Sequence, residues 1–263
     1  MICKSDAILS LCKCIKGMNG GICVVAGSAA SGKTLFLCRL CEAIIINRGA
    51  SKDRIMMAGF DNFFDLDRNM LSSGIKYRVE TNSEIAHNRL AAVTGDEIEY
   101  RSKCIDSDVI ADVIDGQHGF MDSIQSLNVF VGDLIRRNYS DIVMNVEFNS
   151  LNSEGEVGMT DRAGAISVFM NNMGSLLRSY KVNLYITASI HPKASNDNLS
   201  TNMISGGMSV AHGADIIVRV RKFDRNIRAD IIKHRRSGGM SGNDVKFEFP
   251  IPVITSNYSL IGD

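Results

Sequence analysis

The chain has 263 residues, and its 29 Lys and Arg balance 29 Asp and Glu. Zero formal charge means that bulk electrostatics give no argument for a nucleic-acid partner, which would need a local basic surface. Hydrophobic residues make up 45% and charged residues 22%, the mix of an ordinary globular protein long enough to bury a continuous core. The seven cysteines are odd in number and scattered, which argues against a disulfide framework. Cys38 and Cys41 have C-x-x-C spacing. No second pair or His cluster completes a zinc site, so they read as small apolar helix residues. Neither a leader peptide nor a run of bilayer-spanning length is visible, so a cytoplasmic, reducing location without membrane association is expected.

In chain order, residues 5–18 read as a short helix with an apolar face at Ile8, Leu9, Leu11, Cys12 and Ile15. Residues 22–26 form a continuous apolar run, the signature of a strand buried on both faces. A helix is expected over 33–47, and a second buried strand over 54–58. The stretch 60–125 carries helical patches such as 83–93 and is expected to be a helical insertion. A helix over 126–138 and a strand over 141–148 follow. Residues 161–180 form an amphipathic helix, with Ile166, Phe169, Met170, Met173, Leu176 and Leu177 at helical spacing. A strand over 183–189 comes next. Three strands over 215–221, 227–233 and 245–249 then follow with turns between them and no long helix. The expected fold is α/β: a mainly parallel twisted sheet flanked by helices, closed by C-terminal antiparallel hairpin strands, in one domain over 1–263.

The strongest chemical signal is Gly27-Ser28-Ala29-Ala30-Ser31-Gly32-Lys33-Thr34. It matches G-x-x-x-x-G-K-[ST] in full, after an apolar strand and before a helix. The glycines permit backbone conformations that side chains forbid. The loop amides and the helix N-terminus then face phosphates. Lys33 would neutralise the β and γ phosphates, and Thr34 would ligate Mg²⁺ through its hydroxyl. ATP and Mg²⁺ are therefore the expected cofactors.

Hydrolysis also needs a carboxylate near the metal and a base for water. At the end of the strand over 141–148, the usual Asp position holds Asn145, which would bind the metal's water shell with less charge. Glu147, two residues on, faces the same side and is the alternative. The base should follow the second strand, where Asp61 is the first choice and Asp65 the second; helix capping by either is the competing reading. His191, after the fourth strand, is a candidate γ-phosphate sensor or a plain loop residue. Lys233-His234-Arg235-Arg236 precedes a Gly-rich turn. Such a run is usually a solvated surface, but a strand-end Arg can also reach a neighbouring subunit's γ-phosphate.

Together these segments resemble the RecA-like core of recombinases and ring-shaped helicases. The phosphate loop, the strand over 141–147, the polar strand end at 189–191 and the Lys233-His234-Arg235 strand end carry the resemblance. The last is similar to the K-x-R of DnaB-type helicases. Asn202-Met203-Ile204-Ser205-Gly206-Gly207-Met208 resembles the Gly-rich second DNA loop of recombinases. Asn128-Val129-Phe130-Val131-Gly132-Asp133-Leu134 and Ser189-Ile190-His191-Pro192 resemble stretches of the packaging NTPases of double-stranded RNA bacteriophages.

The resemblance implies a hexameric ring or filament with ATP at subunit interfaces and Arg235 or Arg236 acting across them. Single-stranded nucleic acid would be held by Lys193, Gly206 and Gly207 in the segment 190–208, with a second contact from 149–160. The expected function is thus an ATP-hydrolysing nucleic-acid motor or filament, a helicase, translocase or packaging ATPase of phage or mobile-element origin. A strand-exchange recombinase, a small-molecule kinase and a nucleotide-dependent switch are the alternatives.

Overall fold

The structure, a computed structural model, describes residues 18–48, 54–59, 76–81, 110–115, 124–145, 159–190, 204–224, 226–235 and 246–250. Four helices and nine strands lie in these segments. They run β1 (Gly21–Gly27), α1 (Lys33–Arg48), β2 (Arg54–Gly59), β3 (Lys76–Thr81) and β4 (Ile110–Asp115). Then come α2 (Ile124–Arg136), β5 (Tyr139–Asn145), α3 (Met159–Tyr180), β6 (Asn183–Ser189) and α4 (Gly207–Gly213). The chain closes with β7 (Ile216–Phe223), β8 (Asn226–His234) and β9 (Lys246–Pro250).

All nine strands join one sheet in the order β3-β4-β2-β5-β6-β1-β7-β8-β9. From β3 to β7 every pairing is parallel; β7–β8 and β8–β9 are antiparallel. This matches the expected parallel sheet with hairpin strands at its C-terminal side. β1 is buried along its whole length, as its unbroken apolar run requires.

The stretch 60–125, expected to bring helices, instead contributes β3 and β4 to the sheet's parallel edge. The sequence hides them because neither has a continuous apolar run: β3 reads Lys-Tyr-Arg-Val-Glu-Thr. An edge strand half open to water has less need of one. The expected helix over 83–93 lies outside the described residues, as does the one over 5–18.

The helices form two layers. On one face, Ile22, Val24 and Ala26 of β1 share a core with Leu127, Phe130, Val131, Leu134 and Ile135 of α2 and with Ile166, Phe169, Met170, Met173 and Leu177 of α3. Each set recurs at helical spacing, so one stripe of each helix meets the sheet. Burying a side chain of this size contributes roughly 1.5–3 kcal/mol. Phe36, Leu37, Leu40, Cys41 and Ile44 of α1 are also buried, and Cys41 is a free thiol. The period-two pleat turns Cys23 and Val25 of β1 to the face opposite Ile22 and Val24.

A buried carboxylate ties the lower ends of three strands. Asp141 is fully buried. It accepts hydrogen bonds from Asn183 Nδ2 at 3.0 Å, Tyr185 OH at 3.3 Å and Ser140 Oγ at 3.0 Å. Asn183 in turn accepts from the Gly20 amide at 3.0 Å through Oδ1. Burial of a charge is tolerable only when donors replace its water, as here.

Candidate functional site

Parallel register aligns the C-terminal ends of the central strands. Gly27 lies beside Ser189, and Gly59 beside Asn145. In open α/β sheets ligands bind in the crevice at these ends, where the strand order reverses. The phosphate loop leaves β1 at this edge and feeds α1.

Local packing explains its glycines. A Cβ on Gly27 would stand 2.3 Å from Ser31 Oγ and 2.8 Å from the Val220 carbonyl oxygen. Gly32 has φ +89°, and a Cβ there would meet Ile227 Cδ1 at 2.4 Å. The loop is thus wedged against the β7–β8 hairpin, and only glycine fits at both ends. Ala30 also takes a left-handed φ of 55°. A turn closes where the Ser31 amide donates to the Ser28 carbonyl at 3.3 Å, and α1 begins with Phe36 N–H donating to Gly32 O at 2.9 Å.

Lys33 is 8% exposed. Its Nζ donates to the carbonyls of Gly27 at 3.1 Å and Ser28 at 3.0 Å. The ammonium is thereby held inside the curl of the loop. Ser31 Oγ is buried with no hydrogen-bond partner, an orphan that a phosphate oxygen would satisfy. The residues present therefore fit a phosphate chain: an enclosed cation, an unsatisfied hydroxyl and a helix N-terminus converge on one curl.

The position of the expected metal carboxylate is also defined. Asn145 is 7% exposed. Its Nδ2 faces Thr34 Oγ1 at 3.5 Å, and its Oδ1 accepts from Thr187 Oγ1 at 3.1 Å. Thr34 and Asn145, predicted together as metal-associated, are thus neighbours. Thr187 was missed by the sequence reading; the available signal was a lone hydroxyl in the apolar run of β6.

Asp61, Asp65, Glu147, His191, Lys193 and Arg236 lie outside the described residues. The strand ends that precede some of them can be placed. Ile190 N–H donates to Gly27 O at 3.2 Å, and Ile190 bridges Ile204. The segment between those two residues therefore leaves and returns beside the phosphate loop. Gly206, expected to touch nucleic acid, has φ +88° as the residue preceding α4, and a Cβ would meet Val210 Cγ2 at 2.3 Å. Gly207 has open space around its Cα.

Arg235 stands elsewhere. β8 runs antiparallel to β7, and its end pairs His234 with Ile216, which aligns β7 with Cys23 near the start of β1. Arg235 is thus at the sheet edge opposite its own phosphate loop, a strand length or roughly 20 Å away. Its Nη1 donates to Asp215 Oδ1 at 3.1 Å. Lys233 points back to the end of α4, where its Nζ donates to the carbonyls of Ala211 and Ala214 at 2.6 Å and of His212 at 3.3 Å. Burial, then the neighbouring Arg235 charge, push its pKa below the ordinary 10.5, partly offset by Asp215. Asp230 anchors a further cluster on β7–β8. Arg221 Nη2 lies 2.7 Å and Arg219 Nη2 3.2 Å from its Oδ2, and Arg228 Nε lies 3.4 Å from its Oδ1.

Among the described residues no group of His, Cys, Asp and Glu is clustered to hold a metal, and no helix is long and apolar enough to cross a membrane. No known family profile and no curated protein matches this chain. Among solved structures it is similar to the ATPase domain of a DnaB-like helicase, with a TM-score of 0.60 at 13% identity over 93% of this chain and 86% of that one. The chain therefore has the α/β fold of a RecA-like ATPase core, with a P-loop at the edge where that fold binds its ligand.

Proposed function

We propose that this chain binds and hydrolyses ATP with Mg²⁺ as an oligomeric nucleic-acid motor of RecA-like type, a helicase, translocase or packaging ATPase. Lys33 and the loop amides hold the phosphate chain. Thr34, backed by Asn145, orients the ion. Magnesium there would draw charge from the phosphates and favour attack by water. Asp61 or Glu147 serves as base, and His191 reports the state of the γ-phosphate to the segment 191–203, which carries Lys193.

The observation that carries the assembled reading is the placement of Arg235. It stands at the sheet edge opposite its own phosphate loop, so any phosphate it contacts belongs to a second copy. Its guanidinium is half exposed, and a planar fork of donors suits a phosphate.

The test is steady-state ATP turnover with and without single-stranded DNA or RNA, for the wild type, Lys33→Ala and Arg235→Ala. Nucleic acid is expected to stimulate the wild type. Lys33→Ala should abolish both nucleotide binding and turnover. Arg235→Ala should keep nucleotide binding yet lower kcat by about 10³-fold, the scale of an arginine supplied in trans. A rate indifferent to nucleic acid and to Arg235 would overturn the motor.

Asn145 favours one second reading, a nucleotide-dependent switch with slow turnover, because a neutral amide stands where hydrolytic P-loop sites use a carboxylate. Tight ATP binding with negligible turnover under every condition would select it.

A further inference from the structure

We propose that Asp215 is a positioning residue that parks the Arg235 guanidinium between encounters with a second copy of this chain, and that Arg178 is the replacement counter-ion that lets it leave. This inference rests on the assembled reading above and adds to it the device that holds and releases the arginine.

Asp215 is built into the sheet rather than hung from its surface. Its Oδ2 accepts the Ile22 amide at 3.0 Å, its own N–H donates to Ile22 O at 2.8 Å, and its carbonyl accepts the Arg235 amide at 2.8 Å. The neighbouring strand leaves room for it: a Cβ on Gly21 would stand 2.5 Å from Asp215 Oδ2. The carboxylate is therefore fixed, with a side chain only 18% exposed.

Its two cations are not equivalent. Arg235 is bound through one nitrogen, at 3.1 Å from Oδ1, with 56% of its side chain exposed. Arg178, at the end of α3, approaches Oδ2 from the other side at 3.8 Å, within ion-pair range, and is 47% exposed. A cavity of about 410 Å³ opens between them, lined also by Met18, Gly20, Ile216 and His234. Both guanidinium groups therefore have room to move.

The charge arithmetic gives this pair of arginines a purpose. A largely buried carboxylate stripped of its only cation is strongly disfavoured, which would lock a lone Arg235 in place. With Arg178 beside it, Arg235 can swing out while Asp215 stays compensated. Lys233 cannot take that part, because three carbonyls at the end of α4 hold its ammonium. Of the cations at this strand end, Lys233 is the anchor and Arg235 the mobile group. An exposed pair of this kind shifts an equilibrium by about two- to fivefold, so parking tunes engagement without preventing it.

The experiment mixes two chains. Lys33→Ala supplies Arg235 without a competent loop; Arg235→Ala supplies the loop without the arginine. ATP turnover is followed as the Lys33→Ala donor is titrated into a fixed amount of Arg235→Ala. Restored turnover above the sum of the separate chains is expected. Adding Asp215→Asn to the donor, which retains an oxygen for the Ile22 amide, should lower the half-saturating donor concentration by about two- to fivefold. Adding Arg178→Gln should raise it by a similar factor, and Arg178→Lys should reverse that rise. Damage to the fold would move both variants the same way, so opposite shifts are the signature of parking. Restoration that neither variant moves in these opposite directions overturns the parking device and leaves the assembled motor standing. No restoration with the unmodified donor overturns the assembled reading and the parking device with it.

Discussion

Asn145 concentrates the chemistry of the site into one amide. The Thr187 hydroxyl donates to its Oδ1, so its Nδ2 faces Thr34. A cation beside Thr34 would prefer the opposite orientation, oxygen first, and a carboxylate would serve it better still. Asn145→Asp is therefore expected to lower the Mg²⁺ concentration for half-maximal turnover by about tenfold, the scale on which such neighbouring groups act. A magnesium titration of the ATPase rate checks this. An unchanged titration would put the effective carboxylate elsewhere, with Glu147 the first candidate. The substitution of Asn for Asp was legible from the motif alone. Its partner Thr187 was not, because β6 and β5 meet only through the sheet.

At the scale of elements, α4 and the end of β8 stabilise one another. The seven residues of α4 are too few for a helix that stands alone, and the last carbonyls of any helix need donors. Lys233 supplies them from a strand about twenty residues on. Lys233→Met should cost about 1–3 kcal/mol by leaving these carbonyls unpaired, read from urea unfolding. The pH dependence has a definite sign. Its folded pKa is depressed, so between that value and the ordinary 10.5 the unfolded chain binds more protons. The stability of the wild type relative to Lys233→Met should therefore rise with pH as 10.5 is approached. The K-x-R pattern marked this strand end in the sequence. That its Lys caps a helix while its Arg faces Asp215 follows only from the bulge and register of β7–β8.

For the whole molecule, the question is how the antiparallel strands are held to the parallel sheet. β7 pairs with β1 over only four positions, Cys23 to Ala26, and β8 reaches the phosphate loop through Ile227 against Gly32. Asp230 secures that hairpin, since its nearly buried carboxylate faces Arg219, Arg221 and Arg228. Asp230→Ala would leave three like charges crowded without their anion and should cost about 3 kcal/mol or more. Thermal unfolding measures that loss. Because Gly32 leans on the same hairpin, nucleotide affinity should fall with it, whereas a hairpin independent of the loop would lose stability alone.

What the sequence by itself determined was local and contiguous. The phosphate loop, the buried runs of β1, β2, β5 and β6, and the stripes of α2 and α3 each lie in a single stretch, and periodicity or spacing reads them directly. The tertiary structure decided what depends on partners far along the chain. β3 and β4 lack a continuous apolar run, and parallel pairing with β2 makes them strands. Asp141, Asp215 and Asp230 look alike as isolated acids in apolar stretches. Packing alone distinguishes them: the first knots strand ends, the second faces two arginines at the open edge, and the third binds a hairpin. Hydrogen-bond partners more than a hundred residues apart, as for Asn145 with Thr34 and Ile22 with Asp215, leave no mark in a local pattern, because sheet register and not sequence distance brings them together.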